Sequence, residues 1–119
     1  MNREAYIDIQ KYIEKGEEVQ TILLNYLNEE VVDENIFLLL CNTLKEHKIV
    51  ESAENLQEFL YLLLKISNNY HRYDNFYQRI EKILQYLEGP IRRTFSDLDL
   101  FDIFKNNKRI LLFLFEKKL

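Results

Sequence analysis

The chain has 119 residues and a net charge of −4, with 47% hydrophobic and 30% charged residues. That mixture excludes long disorder, and the length suits one domain spanning the whole chain, residues 1–119. Two glycines (Gly16, Gly89) and one proline (Pro90) are too few turn residues for most β-rich folds. They also exclude the glycine-rich loops that cradle phosphates.

The pattern of apolar residues reads as an all-α bundle of six to seven short antiparallel helices, shading into a solenoid of helix pairs. A first helix is predicted over Arg3–Lys15, with Tyr6, Ile9 and Ile13 at helical spacing and Gly16 as its stop. A second covers Glu17–Leu27, with Val19, Ile22, Leu23 and Tyr26 as its stripe. A third, Glu34–His47, has Asp33 as N-cap. A fourth, from Ser52 to Ser67, is apolar on most sides and is expected at the middle of the core, with Asn68-Asn69 ending it. A fifth, Asn75–Leu87, is capped by Asp74 and carries the stripe Phe76, Ile80, Ile83, Leu84 and Leu87. Gly89-Pro90 reads as the clearest stop in the chain. A sixth helix covers Asp97–Phe104 with Ser96 as cap, Asn106 and Asn107 break it, and a seventh covers Lys108–Lys117. Short joints predict that sequence neighbours pack together: first with second, third with fourth, fourth with fifth, sixth with seventh.

The closing helix carries six consecutive apolar residues, Ile110–Phe115. At 100° per residue they point to every side, so the helix needs cover on more than one face, part of it from outside the chain. A buried strand is the rival reading of such a run. The leucines and the flanking Lys and Glu residues favour helix.

Cys41 is the only cysteine, so no internal disulfide forms. No apolar run exceeds six residues, against about 20 for a membrane span, and the first residues have no signal-peptide character. A cytoplasmic, intracellular location is the simpler expectation. Residues 1–60 carry 5 Lys/Arg and 13 Asp/Glu, net −8; residues 61–119 carry 11 and 7, net +4. The bland reading is that the halves offset each other's field; the functional one gives the basic half an acidic partner.

The search for chemistry yields little. Cys41, His47 and His71 are too few and wrongly spaced for a zinc site, and no metal or other cofactor is expected. Ser52, Ser67 and Ser96 stand at predicted helix ends, where capping explains them. No nucleophile motif surrounds them, and a Cys41/His47 or Cys41/His71 dyad has no supporting signature. Asp97, Asp99 and Asp102 are the densest carboxylates, best explained by the positive end of a helix. Arg92-Arg93, Lys105, Lys108-Arg109 and Lys117-Lys118 raise nucleic-acid binding, which the acidic overall balance disfavours. The polar-aromatic stretch Asn68-Asn69-Tyr70-His71-Arg72-Tyr73 stands out most. Tyr and Arg on a loop are frequent binding residues, although a packed interhelix turn is the plainer reading.

The run Ile66-Ser67-Asn68-Asn69-Tyr70-His71-Arg72, followed by Asn75-Phe76-Tyr77 and Ile80–Leu84, resembles the helical region preceding the repeats in large protist (trichomonad-type) ankyrin-repeat proteins. So does the run Leu100–Phe104 with Asn107–Leu114. The resemblance implies an all-helical platform without enzymatic role, in front of repeats that bind proteins. No ankyrin signature occurs in this chain, so ankyrin-mediated binding is not implied. The expectation is a non-enzymatic protein-interaction or scaffold module. Its contact residues would be Tyr70, His71, Arg72, Tyr73, Phe113 and Phe115. The alternatives are self-association into a homo-oligomer through the closing helix, and nucleic-acid binding through the basic half.

Overall fold

A computed structural model describes residues 18–29, 33–69 and 75–116. They form seven α-helices: α1 Glu18–Asn28, α2 Glu34–Glu46, α3 Ala53–Asn69, α4 Phe76–Tyr86, α5 Glu88–Thr94, α6 Asp97–Phe104 and α7 Lys108–Glu116, with a 3₁₀ turn at Ile49–Glu51. Among the described residues there is no strand, and the chain is all-α as its periodicity predicts. The apolar run 110–115 is helix. The predicted first helix and its Gly16 stop lie outside the described residues.

Three predicted caps do what their side chains suit them for. The Asn35 amide donates to Asp33 Oδ1 at 2.8 Å, and the Asn55 amide to Ser52 Oγ at 3.0 Å. At α6 the Asp99 amide donates to Ser96 Oγ (3.1 Å), while the Ser96 amide donates back to the Asp99 carboxylate (3.0 Å). This reciprocal capping box accounts for one of the three clustered aspartates. Asp102 pairs with Lys105 at 3.1 Å, so the cluster is divided between two structural tasks.

Other joints differ from expectation. α4 ends at Tyr86, within a residue of the predicted Leu87, but Gly89 and Pro90 are not its stop; they lie in the first turn of α5, which begins after the single intervening residue Leu87. The amides of a first helical turn have no intrahelical acceptor, so proline loses nothing there. The end of α3 agrees with its sequence: the helix closes at Asn68-Asn69, with Asn69 Nδ2 donating to the Lys65 carbonyl at 2.7 Å. The N-cap position of α4 is Asn75; Asp74 lies outside the described residues. After α2 the chain turns at Lys48, the only non-glycine residue with positive φ (55°) among those described. No glycine is at hand, so a lysine takes the left-handed position at a steric cost.

α1 packs against α2 and α4. α3 packs against the 3₁₀ turn, α4 and α6; α4 also meets α5, and α6 pairs with α7. The expected direct pairing of α2 with α3 is not a main contact. The 3₁₀ turn stands between them and packs on both. α3 buries Leu56, Phe59, Leu60, Leu63, Leu64 and Ile66, as expected for a central helix. The stripe of α4 is fully buried, whereas that of α1 is rotated: Leu24 and Leu27 join Leu23 and Tyr26 inside, while Val19 and Ile22 are half-buried. Contacts with two neighbours, α2 and α4, set this facing of α1.

The closing helix is better covered than its sequence suggests. Ile110 and Leu114 are buried, Leu111, Phe113 and Phe115 are half-buried against the core, and Leu112 alone in the run is exposed, at 48%. Most of the greasy circumference is therefore hidden by the chain itself. No helix among the described residues is long and apolar enough to cross a membrane.

Helix ends are closed by side chains from distant helices. Arg79 on α4 is 1% exposed, and its Nη1 donates to the Tyr26 carbonyl in the last turn of α1 at 3.0 Å. Arg92 on α5 donates likewise to the Leu114 carbonyl in the last turn of α7. Each places a cation where a helix presents unsatisfied carbonyls and negative dipole. Asn107, buried between α6 and α7, accepts from the Ile110 amide at 3.1 Å as the N-cap of α7. Its Nδ2 donates to Ser67 Oγ (3.1 Å) and Asn68 Oδ1 (3.3 Å) at the end of α3.

Two predictions follow from these ends. Lys48→Gly removes the left-handed strain and is expected to stabilise by about 1 kcal/mol, read as a rise in thermal midpoint. Asn107→Ala removes cap and bridge together and is expected to cost about 2 kcal/mol. Asn107→Ser keeps the cap oxygen but cannot bridge, and in denaturant titration it should fall between wild type and the alanine variant.

Candidate functional site

The predicted contact residues do not come together in one described place. Tyr70, His71, Arg72 and Tyr73 lie outside the described residues, in the segment that joins α3 to α4. Phe113 and Phe115 sit half-buried on α7, held against the core. They serve partly as packing groups, because Ile110 and Leu114, one helical turn apart, fix which side of α7 faces inward.

Among the described residues, those considered above do not assemble into a catalytic constellation; the Cys41/His71 pairing lies outside them, because His71 does. Cys41 is buried; burial pushes its thiol pKa up, against the opposing pull of Lys45 and Lys82. A neutral, enclosed thiol is a poor nucleophile. His47 is exposed and its Nε2 lies 3.5 Å from a Glu18 carboxylate oxygen, away from any partnership with Cys41. Ser52 and Ser96 are caps, and Ser67 is buried, donating to the Leu64 carbonyl at 2.9 Å. Among the described residues no group of three or more His, Cys, Asp or Glu is arranged to hold a metal ion.

A buried charged group that periodicity did not single out is Arg79. It stands three residues after Phe76 and four before Ile83, on the same side as the apolar stripe. A cation on that stripe was the available signal, and its reach to the end of α1 is a tertiary fact. Beside it, Tyr26 is buried, and its hydroxyl has no hydrogen-bond partner among the described residues. Desolvation pushes the phenol up to about 12, with Glu34 adding to the rise and Arg79 opposing it. Above it the Phe37 ring lies 5.4 Å from the Tyr26 ring, and Lys82 Nζ lies 4.6 Å from the Phe37 ring centre while pairing with Glu34. This stack ties α1, α2 and α4 together.

Exposed apolar side chains occur on α2, where Leu38 and Leu39 turn outward, and on the C-terminal helices. α6 buries Leu100, Ile103 and Phe104 and turns Leu98 (81% exposed) and Phe101 (53%) outward. Between α4 and α7 runs a shallow groove of about 510 Å3, lined by Glu81, Lys108, Arg109, Leu112, Phe113 and Glu116. Its wall is firm, because the Arg109 guanidinium lies 4.4 Å from the Tyr77 ring centre. A second cleft of about 340 Å3, between the start of α1 and α3, has Val19, Ile49, Phe59 and Leu62 as its floor and Gln20, Asn55 and Glu58 on its rim. Of the cations that raised nucleic-acid binding, Arg92, Arg109 and Lys105 are engaged within the fold, and Lys117 and Lys118 lie outside the described residues.

The Tyr26 environment sets an alkaline limit. The native state holds this proton more tightly than the unfolded chain, whose phenols ionise near pH 10. Stability is therefore intact below pH 10 and falls as pH rises towards about 12. Tyr26→Phe is expected to remove that component of alkaline unfolding and to leave stability at neutral pH unchanged or raised by up to about 1 kcal/mol, as followed by circular dichroism. Set beside known proteins, the chain matches no family model, no curated protein and no solved structure.

Proposed function

We propose that the chain is a non-catalytic protein-interaction module, acting inside the cell as a helical platform of the kind that precedes ankyrin repeats. The observation that carries this reading is the outward pair on α6. Leu98 and Phe101, one turn apart, stand largely in solvent on a helix whose opposite side is fully engaged in the core. Large apolar side chains placed side by side on a fixed helix favour contact with another macromolecule. The groove between α4 and α7 offers further apolar surface with Leu112 and Phe113. Tyr70, His71, Arg72 and Tyr73 are proposed as a second contact element, on their composition alone.

The reading is tested by capture from cell extract on the immobilised chain, beside Leu98→Glu and Tyr70→Ala/Arg72→Ala variants. Leu98 is exposed and its variant is expected to fold as wild type. A partner held by wild type and reduced at least fivefold by one of the variants supports the module. Equal recovery on all three, or none on any, removes it.

A further inference from the structure

We infer that the groove between α4 and α7 receives helix α6 of a second copy of this chain. The inference rests on reading the C-terminal helices as a contact surface, and it names the occupant. The support is a match between two stripes. Along α6 and its C-cap, residues at i, i+4 and i+8 are Asp97, Phe101 and Lys105: acidic, apolar, basic, with Lys105 still in helical conformation. Along α7, the same spacing places Lys108, Leu112 and Glu116: basic, apolar, acidic. In each helix the three positions lie on one side, and each stripe spans about 12 Å at 1.5 Å per residue. Phe101 and Leu112 are exposed, at 53% and 48%, and stand at the middle of their stripes.

With α6 of one copy laid parallel to α7 of another, all three levels agree. Asp97 faces Lys108, Phe101 meets Leu112, and Lys105 faces Glu116. Leu98 adds a further apolar group beside Phe101, and the groove supplies Phe113 beside Leu112. The antiparallel arrangement sets acid against acid and base against base at both ends, so the charges select direction while the apolar centre supplies affinity. The existing bond from Lys105 to Asp102 does not conflict, since an ammonium has three donors.

Sedimentation velocity over a concentration series up to the submillimolar range tests this on the full chain. Wild type is expected to self-associate reversibly. Phe101→Glu and Leu112→Glu should each weaken association by more than about tenfold, with the helical circular dichroism spectrum retained because both side chains lie outside the core. Lys105→Glu and Glu116→Lys should each weaken it by about threefold, and the two together should restore it. A chain that stays monomeric throughout, or that associates equally well in the Phe101→Glu and Leu112→Glu variants, overturns the inference. So does a charge-swapped double variant weaker than either single one. A monomer that still captures a partner through Leu98 leaves the interaction module standing and removes only this occupant.

Discussion

The fold depends on side chains that close helix ends belonging to other helices. A chain with two glycines has few residues able to terminate a helix through its own backbone, and each helix end leaves carbonyls or amides without partners. Arg79 closes α1 from α4, Arg92 closes α7 from α5, and Asn107 opens α7 while gripping the end of α3. These contacts bridge 53, 22 and 40 positions in the sequence. Local termination is thereby converted into tertiary connection, and short helices that would be marginal alone are held by their ends as well as by their apolar sides.

That arrangement determines what remains for the surface. Two arginines of the basic half, Arg79 and Arg92, donate to helix-end carbonyls, and Arg109 lies over Tyr77. Lys105 and Lys82 have carboxylate partners. Part of the positive charge of residues 61–119 is thus engaged within the fold, and for Arg79 and Arg92 the partner is a backbone carbonyl. Apolar groups tell the opposite story. α6 and α7 cover each other's inner sides and leave Leu98, Phe101 and Leu112 outward. The outward side of α6 and α7 is therefore apolar with charges at its ends, a character that fits the proposed helix contact better than a phosphate backbone.

Much of the helix inventory was legible because capping and periodicity are local. Asp33, Ser52 and Ser96 cap as their residue types suggest, and the stripe of α4 is buried as spaced. α5 was missed because Gly-Pro has two meanings: a stop after one helix, or the first turn of the next. The choice depends on whether the chain can restart immediately. The turn at Lys48 carries no signal at all, since lysine is not a residue that seeks positive φ. For the candidate site, an apolar run points to Phe113 and Phe115, which pack partly against the core, yet no local pattern points to the outward pair on α6. In a stretch reading Asp-Leu-Asp-Leu-Phe-Asp, only the facing of the helix separates Leu98 from Leu100.

Composition and spacing by themselves determined that this chain is helical, where most of its helices begin, and that the groups for nucleotide loops and closed zinc sites are scarce. Those properties follow from backbone preferences and side-chain inventories, which act over a few residues. The tertiary structure alone decided how α1 is turned, which arginine meets which carbonyl, and which apolar residues of α6 and α7 are left in solvent. Such outcomes depend on the simultaneous packing of α3 and α4 against their several neighbours, and no window of consecutive residues contains that information.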